Sequence, residues 1–464
     1  MTTTSYAERN ALTRERRRGA LSHYHGTLAS LIDDCAGDEI PQRVRTLTQA
    51  THDDILAALT VLRGLRDVAI VVHGASGCAA AAVTLAEEGR ARWYSVNLSE
   101  RDSILGSEEP LRETILRAVA EGAAAVFVVG TPVVAINNDD VNAVLRELSG
   151  ETDVPLLYVN TDGFTSKTAL TGFDIAFHAL LRLVDAPRET TGAGGGFLNL
   201  LAVRQNARDL AAVTGALAAL GIRWNLLPRH APLENIRRAA GARATVSLNQ
   251  DESDYFGLAL EDRFGTPRLR LPAPIGLAGT RAFITGLGAA FSVDDKAGAY
   301  IEVREEALLD LLVTRPLSGK RVFLQTDLAQ AVGLAGLVGD LGGELAGLAL
   351  TAVDLDSRAQ LARLDAADDV PVIVADGQPF EIANVLARTP VDYYIGAGQV
   401  AFAAHFGAMP ISLHQGAFYA YEGIQALAAA VARPWPDIRE RARHPYSKSW
   451  LRKTGSWHVK REVR

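Results

Sequence analysis

A cysteine at the end of an apolar run is the residue of this sequence best placed to bind a metal. The run Val68–Val72 leads into His73–Cys78, a turn that contains two glycines. Glycine lets the backbone turn tightly and approach whatever the sulfur of Cys78 contacts. A lone cysteine after a strand is usually just a small buried residue, but the loop position and the nearby His73 favour a ligand. Because the chain has only two cysteines, any metal bound here must be shared with other ligands.

Two polar loops follow other strand-like runs. The segment Leu98–Leu111 comes after Trp93–Asn97, and Gly130–Asp140 comes after Ala125–Val129. Taken alone, the first caps a helix, with Ser107 and acidic residues in its first turn, and the second is a turn before a helix. Loops at the carboxyl ends of parallel strands carry the sites of α/β proteins, so both loops are candidates for function.

Apolar runs alternate with helical segments along most of the chain, which predicts an α/β fold. Continuous apolar strands are typical of parallel sheets covered on both faces by helices. The predicted strands are Val68–Val72, Trp93–Asn97, Ala125–Val129, Pro155–Val159, Phe197–Ala202, Thr245–Leu248, Arg321–Gln325, Pro371–Val374 and Tyr393–Ile395. The predicted helical segments include Leu111–Glu121, Asn206–Leu220 and Leu328–Leu341. We therefore expect three Rossmann-like domains with mostly parallel sheets flanked by helices.

Two segments mark the expected domain boundaries. Thr190–Gly196 is rich in glycine, and Thr314–Lys320 precedes a renewed strand–helix alternation. They divide the chain into an N-terminal domain (1–190) with the cysteine loop, a middle domain (191–317) and a C-terminal domain (318–464) with a helical tail. The glycine cluster lacks the strand–GxGxxG–helix order of a phosphate loop, so we favour a linker. No GxxxxGK[ST] motif occurs, so another polypeptide would hydrolyse any ATP that is used.

Composition argues against several classes of partner. A formal net charge of −7 disfavours nucleic acid and anionic membrane surfaces. No apolar run approaches the roughly 20 residues of a membrane helix. The polar N-terminus has no apolar segment behind its arginines, so no secretory signal is predicted. Two cysteines in 464 residues do not make a disulfide framework, and we expect a cytoplasmic protein.

In their order and separation, the three loops resemble those of the nitrogenase component 1 superfamily. Its members include the nitrogenase molybdenum–iron protein, a cofactor-assembly scaffold and the protochlorophyllide reductase. The family pattern HG-x-x-GC matches His73–Cys78, and L-x-E-x-D-x-x-x-G-x-E-x-x-L matches Leu98–Leu111. A pattern ending in I-G-D-D matches Asn137–Asp140, with asparagines in its first two positions. Similar matches continue to Leu413–Ile424, so the resemblance covers roughly residues 45–430.

The resemblance implies a 4Fe–4S cluster at an interface between two subunits. Family catalytic subunits offer three cysteines, but the first and third positions fall near Asp53 and at Pro132 here. A cluster needs four ligands, so Cys78 would supply one and a cysteine-richer homologous subunit three, in an α2β2 heterotetramer. Cys35 lies before the resemblance begins and is predicted not to be a ligand.

Three further residues are expected beside this cluster. His73 would pack or form hydrogen bonds next to it, and the turn at Gly77 would offer backbone N–H groups to the sulfur atoms. Asp53 would act electrostatically, although a solvated carboxylate at a helix start is the simpler interpretation. Electrons would arrive from a separate ATP-dependent iron–sulfur reductase that docks on the complex.

A second family site is the cavity between the three domains, which holds a metal cofactor or a tetrapyrrole in relatives. The cysteine that anchors the nitrogenase cofactor corresponds to about Asn249, which makes that cofactor and dinitrogen reduction improbable here. His414 falls near the family's cofactor histidine and is a candidate proton donor or ligand, with a simple loop histidine as an equal alternative. Gln250 and Asp251 are ranked below His414 as candidates to line the cavity.

The resemblance thus implies a subunit of a nitrogenase-like oxidoreductase complex that relays electrons through the interfacial cluster to a substrate in the cavity. A cofactor-assembly scaffold and a metal-free structural partner subunit are the alternatives. A sugar- or metabolite-binding protein of three Rossmann-like units is a more distant one. The sequence does not name the substrate.

Overall fold

The computed structural model describes residues 17, 20, 23–37, 54–78, 90–164, 168–186, 196–354, 357–364, 366–374, 379–397 and 400–433. Within these ranges the chain forms three β-sheets with helices packed against them. The α/β class and the mostly parallel sheets predicted from the apolar alternation are confirmed. The C-terminal domain was predicted to extend to residue 464 with a helical tail, and residues 434–464 lie outside the described part.

The first sheet is fully parallel and has the strand order β3-β2-β4-β5. Its strands are β2 (Ala69–His73), β3 (Arg92–Ser95), β4 (Val126–Gly130) and β5 (Leu156–Val159). Every residue of β2 and β4 is buried, because both lie inside the sheet. The helices of this region are α2 (Asp54–Leu62), α3 (Glu100–Leu105), α4 (Glu108–Ala120), α5 (Pro132–Asn137), α6 (Val141–Leu148) and α7 (Thr171–Leu181).

The second sheet is also parallel, with the order β7-β6-β8-β9. Its strands are β6 (Leu198–Ala202), β7 (Trp224–Pro228), β8 (Ala244–Ser247) and β9 (Arg268–Leu269). The helices of this region are α8 (Ala207–Leu220), α9 (Leu233–Arg237), α10 (Gln250–Phe264), α11 (Gly276–Phe291), α12 (Asp294–Glu306) and α13 (Leu309–Thr314), with a short 3-10 helix at Arg238–Gly241.

The third sheet has six strands in the order β1-β12-β11-β10-β13-β14. They are β1 (Tyr24–Thr27), β10 (Arg321–Thr326), β11 (Glu344–Leu350), β12 (Pro371–Val374), β13 (Tyr393–Gly396) and β14 (Met409–Ser412). The helices are α1 (Leu28–Asp34), α14 (Leu328–Asp340), α15 (Arg358–Leu361), α16 (Pro379–Leu386) and α17 (Ala420–Val431), with a 3-10 helix at Val400–Phe406. All strands are parallel except β1, which runs antiparallel along β12.

The position of β1 departs from the predicted division of the chain. Residues 1–190 were expected to form the first domain, yet Tyr24–Thr27 pairs with Pro371–Val374 of the third sheet. Burial explains the pairing, because Tyr24 and the following Leu28 and Leu31 belong to the core that the second and third sheets share. The Tyr24 hydroxyl also donates to Asp34, 2.8 Å away, and so holds α1 next to β1.

Two apolar cores join the three sheets. One core extends from the first sheet to the second, where Phe177 of α7 packs on Phe256 of α10 with 5.3 Å between ring centroids. The other joins the second and third sheets, where α11 packs against α14 and α17. The carboxyl ends of the second and third sheets are therefore held facing each other.

All nine predicted strands are present, and their ends differ from the prediction by at most two residues. Five further strands were not predicted: β1, β7, β9, β11 and β14. The sequence ELAGLAL of β11 is rich in alanine and leucine, which favour helices. It forms a strand because it lies between β10 and β12, where its last five residues are buried.

None of the helices in the described ranges combines the length and the apolar character needed to cross a bilayer.

Candidate functional site

The cysteine loop leaves the first sheet at the carboxyl end of β2. His73 is the last residue of that strand, and the Thr131 hydroxyl donates to its carbonyl oxygen at 2.8 Å. Gly74 lies against Thr131, and a Cβ atom at this position would clash with the threonine side chain. Further along the loop, Gly77 is exposed and Cys78 is a half-buried free thiol. Residues 76–78 are helical, so Cys78 lies in a helical turn that follows β2 just beyond the carboxyl edge of the sheet.

The three motif loops meet at one buried serine. The Ser107 hydroxyl donates to Asp139, with 2.5 Å between Oγ and Oδ2, and lies 3.1 Å from Nε2 of His73. His73 and Ser107 are buried, and Nε2 of His73 is 3.4 Å from Asp139 Oδ2. Burial lowers the pKa of His73, and the carboxylate of Asp139 opposes that effect. This contact holds the ends of β2, α5 and the α3–α4 connection in one unit.

Helix capping shapes the second and third loops. Ser99 caps α3, and its backbone N–H donates to the side chain of Asp102, which completes a capping box. Asp140 caps α6 by accepting from the N–H of Ala143 at 2.9 Å. Ser107 stands at the N-cap position of α4 but makes no side-chain cap there. Its hydroxyl instead donates to Asp139 and lies within hydrogen-bonding distance of His73, and so joins the loops. The sequence pattern did not indicate this contact.

Exposed apolar side chains follow the strands that share a sheet with β2. Ile104 is 80% exposed, Leu105 71%, Ile136 70% and Phe164 64%. All four lie on segments that follow strands of the first sheet, and α3 packs against α5. Large apolar groups exposed together on a sheet edge mark a surface that another protein covers. We call these four residues the apolar rim.

The other residues expected at the cluster lie as follows. Among the described residues, none comes within 4 Å of the place where a Cβ atom on Gly77 would lie. Pro132 occupies the first position of α5, so its place in the family pattern holds no sulfur. Asp53 lies outside the described residues. Cys35 is buried in the core between the second and third sheets, and burial raises its thiol pKa to about 11.

A polar cavity of about 40 Å³ lies where the carboxyl ends of the second and third sheets face each other. This volume has room for a few water molecules. The residues that line it follow strand ends of both sheets. They are Arg204, Gln205, Asp209, Glu252, Thr326, Asp327, Gln330, Thr351, Ala397, Leu413 and His414.

Arg204 connects the two sheets across this cavity. Its guanidinium donates to Glu252 at 2.6 Å and forms an ion pair with Asp327. Both carboxyl groups are buried. Burial raises the pKa of Glu252, and the charge of Arg204 opposes that rise. Removal of the arginine would leave two buried carboxylates without their cation, which is costly.

A hydrogen-bonded group centred on Tyr419 forms another wall of the cavity. The Tyr419 hydroxyl receives a hydrogen bond from Gln330 Nε2 at 3.1 Å. The Phe418 and Tyr419 backbone N–H groups donate to Asp209 at 2.7 and 3.2 Å. Burial raises the pKa of Asp209 to about 6, although these two N–H groups act in the opposite direction. Asp209 can therefore hold or release a proton near neutral pH.

The predicted cavity residues occupy different positions. His414 is exposed and lies at the cavity rim. Asp251 sits beside the cavity, where its carboxylate accepts from the Ala329 N–H at 2.8 Å, and burial and the charge of Asp327 raise its pKa. Gln250 points elsewhere, since its amide donates to the Leu271 carbonyl at 2.8 Å and accepts from Gln360 at 2.6 Å.

Sequence reasoning missed the central residues of this cavity. Arg204 follows the predicted strand Phe197–Ala202, and Asp327 follows Arg321–Gln325. The strand-end rule that singled out Cys78 applied equally to both, but neither matched a recognised motif. Arg204 and Asp327 form an ion pair only because the second and third sheets face each other.

The described residues differ in how well they fit the expected cofactors. Cys78 fits as one ligand of a cluster whose other ligands come from a partner. The cavity does not fit a large metal cofactor or a tetrapyrrole, because its volume is about 40 Å³. Asn249, at the family's cofactor-cysteine position, is a buried helix cap whose amide donates to Asp327 at 3.1 Å. Within the described ranges, no group of three or more His, Cys, Asp or Glu side chains is placed to hold a metal ion.

Comparisons with known proteins all identify nitrogenase-related proteins as similar to this chain. A family model described as nitrogenase component 1 type oxidoreductase matches residues 54–435. The nitrogenase iron–molybdenum cofactor biosynthesis protein NifE of Rippkaea orientalis is 24% identical over 374 residues, which cover 77% of this chain and 78% of the relative. NifE of Sinorhizobium fredii is 25% identical over 413 residues, with 83% and 82% covered.

A nitrogenase molybdenum–iron protein chain and a solved structure also match. The nitrogenase molybdenum–iron protein alpha chain of Methanothermobacter marburgensis is 24% identical over 364 residues, covering 74% of this chain and 76% of the relative. The solved structure described as nitrogenase Cp1 at pH 6.5 superposes with a TM-score of 0.72 at 19% identity. It covers 86% of this chain and 95% of its own. At that identity the structural match establishes the fold.

Proposed function

The chain belongs to the nitrogenase component 1 type oxidoreductase family, and from that membership we propose that it is one subunit of a nitrogenase-like iron–sulfur oxidoreductase complex. In this role it accepts electrons from an ATP-dependent iron–sulfur reductase. The electrons reach it through a 4Fe–4S cluster shared with a cysteine-richer homologous subunit, in an α2β2 heterotetramer. They are delivered to a substrate in the cavity between the sheets.

The main support for this proposal is the environment of Cys78. Its free thiol lies at the carboxyl edge of the first sheet, and the apolar rim exposes four large side chains along the same edge. A cluster with one ligand from this chain needs a partner surface at that place. The apolar rim is the kind of surface that such a partner would cover.

A bound cluster would supply single-electron transfer, and the chain's own residues prepare the place for it. The contact of Ser107 with His73 and Asp139 fixes the loop bases, so that Cys78 is presented in one position. Gly77 has no described neighbour within 4 Å of the place where a Cβ atom would lie. Burial of Cys78 and Gly77 under a partner would exclude water from the thiolate and strengthen the hydrogen bonds of nearby N–H groups to it.

Residues around the cavity would hold the protons that accompany reduction. Asp209, with a pKa raised to about 6, and the half-buried Asp251, with a raised pKa, retain protons more readily than exposed carboxyl groups do. His414 at the rim can exchange protons with solvent. Gln250, bonded to Leu271 and Gln360, would position the start of α10 instead of contacting substrate.

Anaerobic purification of the tagged full chain from its native host tests the proposal. We expect a homologous partner to co-purify, with about four iron atoms per shared cluster and broad visible absorbance. Cys78→Ala should lower the iron content of the complex, whereas the matched variant Cys35→Ala should keep it. Equal iron in wild type and Cys78→Ala would refute ligation by Cys78.

A scaffold subunit for cofactor assembly is the second candidate. The names of two relatives favour it, since both are cofactor biosynthesis proteins. Turnover of a small substrate with reductase and ATP would support the reductase. Transfer of a metal cluster from the complex to an apo-acceptor protein, without turnover, would support the scaffold. A complex that assembles fully without iron would identify a structural partner subunit instead.

A further inference from the structure

Four basic residues from three separate segments of the chain meet where the first sheet adjoins the second. Arg66 precedes β2, Arg90 precedes β3, and Arg229 and His230 follow β7. We call these four residues the basic patch. The patch lies at the amino ends of β2 and β3, whereas Cys78 follows the carboxyl end of β2. None of the four lines the polar cavity, so the patch is separate from both sites described above.

Backbone contacts fix the three segments against one another. The N–H of Arg66 donates to the Ala231 carbonyl at 2.9 Å, which joins the chain before β2 to the turn after β7. The N–H of Arg90 donates to the Arg63 carbonyl at 3.1 Å, which brings the start of β3 to the same place. The fold therefore sets the positions of these positive charges.

The turn after β7 carries two further signs of a built arrangement. The guanidinium of Arg229 donates to the Val203 carbonyl at 3.2 Å, which orients this half-buried side chain. His230 has a φ of 58°, in the left-handed region that residues other than glycine seldom adopt. Burial and the charges of the three arginines of the patch lower the pKa of its exposed imidazole. Unfavourable backbone conformations of this kind are concentrated at ligand sites.

Carboxylates do not neutralise the patch within the described part of the chain. The side chains of Arg66, Arg90 and His230 form no ion pair with a carboxylate there. Asp67, the neighbour of Arg66 in the sequence, accepts from the Leu233 N–H at 2.9 Å instead. The chain as a whole has a formal net charge of −7, so this local positive excess is not a general property of its surface. Like charges held together repel one another, and a bound anion would relieve that repulsion.

The donors of the patch favour a small oxyanion. A guanidinium presents a planar fork of N–H groups that fits the oxygens of a phosphoryl group in pairs. A protein partner would also need apolar contact area at this place. The large apolar side chains that are exposed in the described residues lie elsewhere, on α3, α5, α12, α13, the segment after β5 and the first residue of β7.

We propose that the basic patch binds a phosphoryl group, as free phosphate or as the phosphate of a small soluble ester. Arg66 and Arg90 are exposed and supply guanidinium groups that no described carboxylate engages. Arg229 adds a third positive charge, and His230 adds a ring N–H donor. This site goes beyond the proposed function and does not depend on it.

Isothermal titration calorimetry of the full chain, with any partner that co-purifies, measures this binding. The probes are inorganic phosphate and methyl phosphate at neutral pH, with sodium chloride at equal ionic strength as the reference for screening. We expect saturable binding of at least one of the two phosphates. Tighter binding of inorganic phosphate would identify the free ion as the ligand, and equal or tighter binding of methyl phosphate would identify an ester. If neither phosphate binds saturably, the proposal is wrong.

Substitutions in the patch locate the site. Arg66→Gln and Arg90→Gln should each weaken phosphate binding about tenfold or more, because each removes a charged hydrogen-bond donor. Both arginines are exposed, so both variants should fold. Arg66→Lys keeps the charge without the planar fork and should weaken binding less than Arg66→Gln does. Arg388→Gln is the matched control, because Arg388 is an exposed arginine that follows α16 on the third sheet.

Two results with these variants would overturn the proposal. One is phosphate binding that is unchanged in Arg66→Gln and Arg90→Gln, or that weakens equally in Arg388→Gln. The other is loss of the co-purifying partner from Arg66→Gln when the wild type binds no phosphate, which would assign the patch to a protein interface.

The phosphate site and the cluster ligand fail separately. Cys78→Ala should lose iron and keep phosphate binding, because Cys78 and Arg66 lie at opposite ends of β2. Arg66→Gln should lose phosphate binding and keep its iron. Normal iron content in Cys78→Ala would overturn the cluster ligand alone, and absent phosphate binding in the wild type would overturn the phosphate site alone.

Discussion

Ser107 donates a hydrogen bond to Asp139 with 2.5 Å between Oγ and Oδ2, although the two residues are 32 positions apart in the chain. The same hydroxyl lies 3.1 Å from Nε2 of His73. These three side chains come from the three loops that gave the sequence its family resemblance. Their contact supplies a physical reason for the pattern, because each loop base depends on the other two.

Ser107→Ala should destabilise the chain. The variant leaves the buried imidazole of His73 and the carboxylate of Asp139 without their shared hydroxyl, which costs about 1–3 kcal/mol. Urea unfolding monitored by circular dichroism measures the loss. Ser103→Ala, at a half-buried serine of α3, is the control and should change the free energy of unfolding by less than about 0.5 kcal/mol. Equal effects of the two variants would contradict the central role of Ser107.

Gly74 and Gly77 should differ sharply when each is replaced by alanine. A methyl group at 74 meets the Thr131 side chain, so Gly74→Ala should lower the stability of the chain itself by about 1–3 kcal/mol. A methyl group at 77 meets none of the described residues, so Gly77→Ala should leave that stability nearly unchanged. If the space is reserved for a cluster or a partner, Gly77→Ala should nevertheless reduce the iron retained by the complex. Normal iron in a folded Gly77→Ala complex would show that the space has no such role.

The apolar rim should be needed for assembly and not for folding. Ile136→Gln removes an apolar group that is 70% exposed, so the chain alone should unfold within about 0.5 kcal/mol of wild type. Its affinity for the co-purifying partner should fall about tenfold, as expected for an apolar residue buried at an interface. Val313→Gln is the matched control, because Val313 is 82% exposed but lies on α13, away from the first sheet. Analytical ultracentrifugation of the three complexes compares their dissociation. A similar loss of affinity in Val313→Gln would show that the apolar rim has no specific role in assembly.

Stability should decrease as the pH rises through the range in which Asp209 ionises. Its pKa is raised from 3.8 to about 6 in the folded chain, so the folded state binds the proton more tightly than the unfolded state does. The contribution is fully present below about pH 4 and is lost as the pH rises through about 6. For one carboxyl group it amounts to at most about 3 kcal/mol. Asp209→Asn, which keeps an acceptor for the Phe418 and Tyr419 amides, should flatten the dependence of unfolding free energy on pH. An unchanged slope would show that Asp209 ionises normally.

Arg204→Gln should destabilise the chain more at about pH 8 than at about pH 5. At the higher pH the loss of the guanidinium leaves Glu252 and Asp327 as buried, uncompensated carboxylates, at a cost of about 3–5 kcal/mol. Burial raises the pKa of Glu252, so lowering the pH favours its protonated form and reduces this cost. Arg281→Gln is the control, because this half-exposed arginine pairs with Glu305 and should matter by less than about 1 kcal/mol at either pH. Chemical denaturation at the two pH values gives the comparison.

The sequence was sufficient for most of the architecture. Continuous apolar strands such as Ala125–Val129 identify buried parallel strands, because such a run can be satisfied only with both faces covered. Strands without that pattern were missed. β11 is made of residues that favour helices, β9 has two residues, and β1 lies far from its sheet in the sequence. Their conformations depend on contacts with residues distant in the chain, which a local sequence pattern does not show.

The sequence alone determined the α/β class, the candidate ligand Cys78 and the three loops around it. Local patterns and residue spacing are enough for these. Only the tertiary structure decided that Ser107 joins those loops and that Arg204 bridges Glu252 and Asp327. It also showed that Asn249 donates to Asp327, which has one buried oxygen without a partner. The reason is distance along the chain, since Arg204 and Asp327 are 123 residues apart and meet only because two separate sheets face each other.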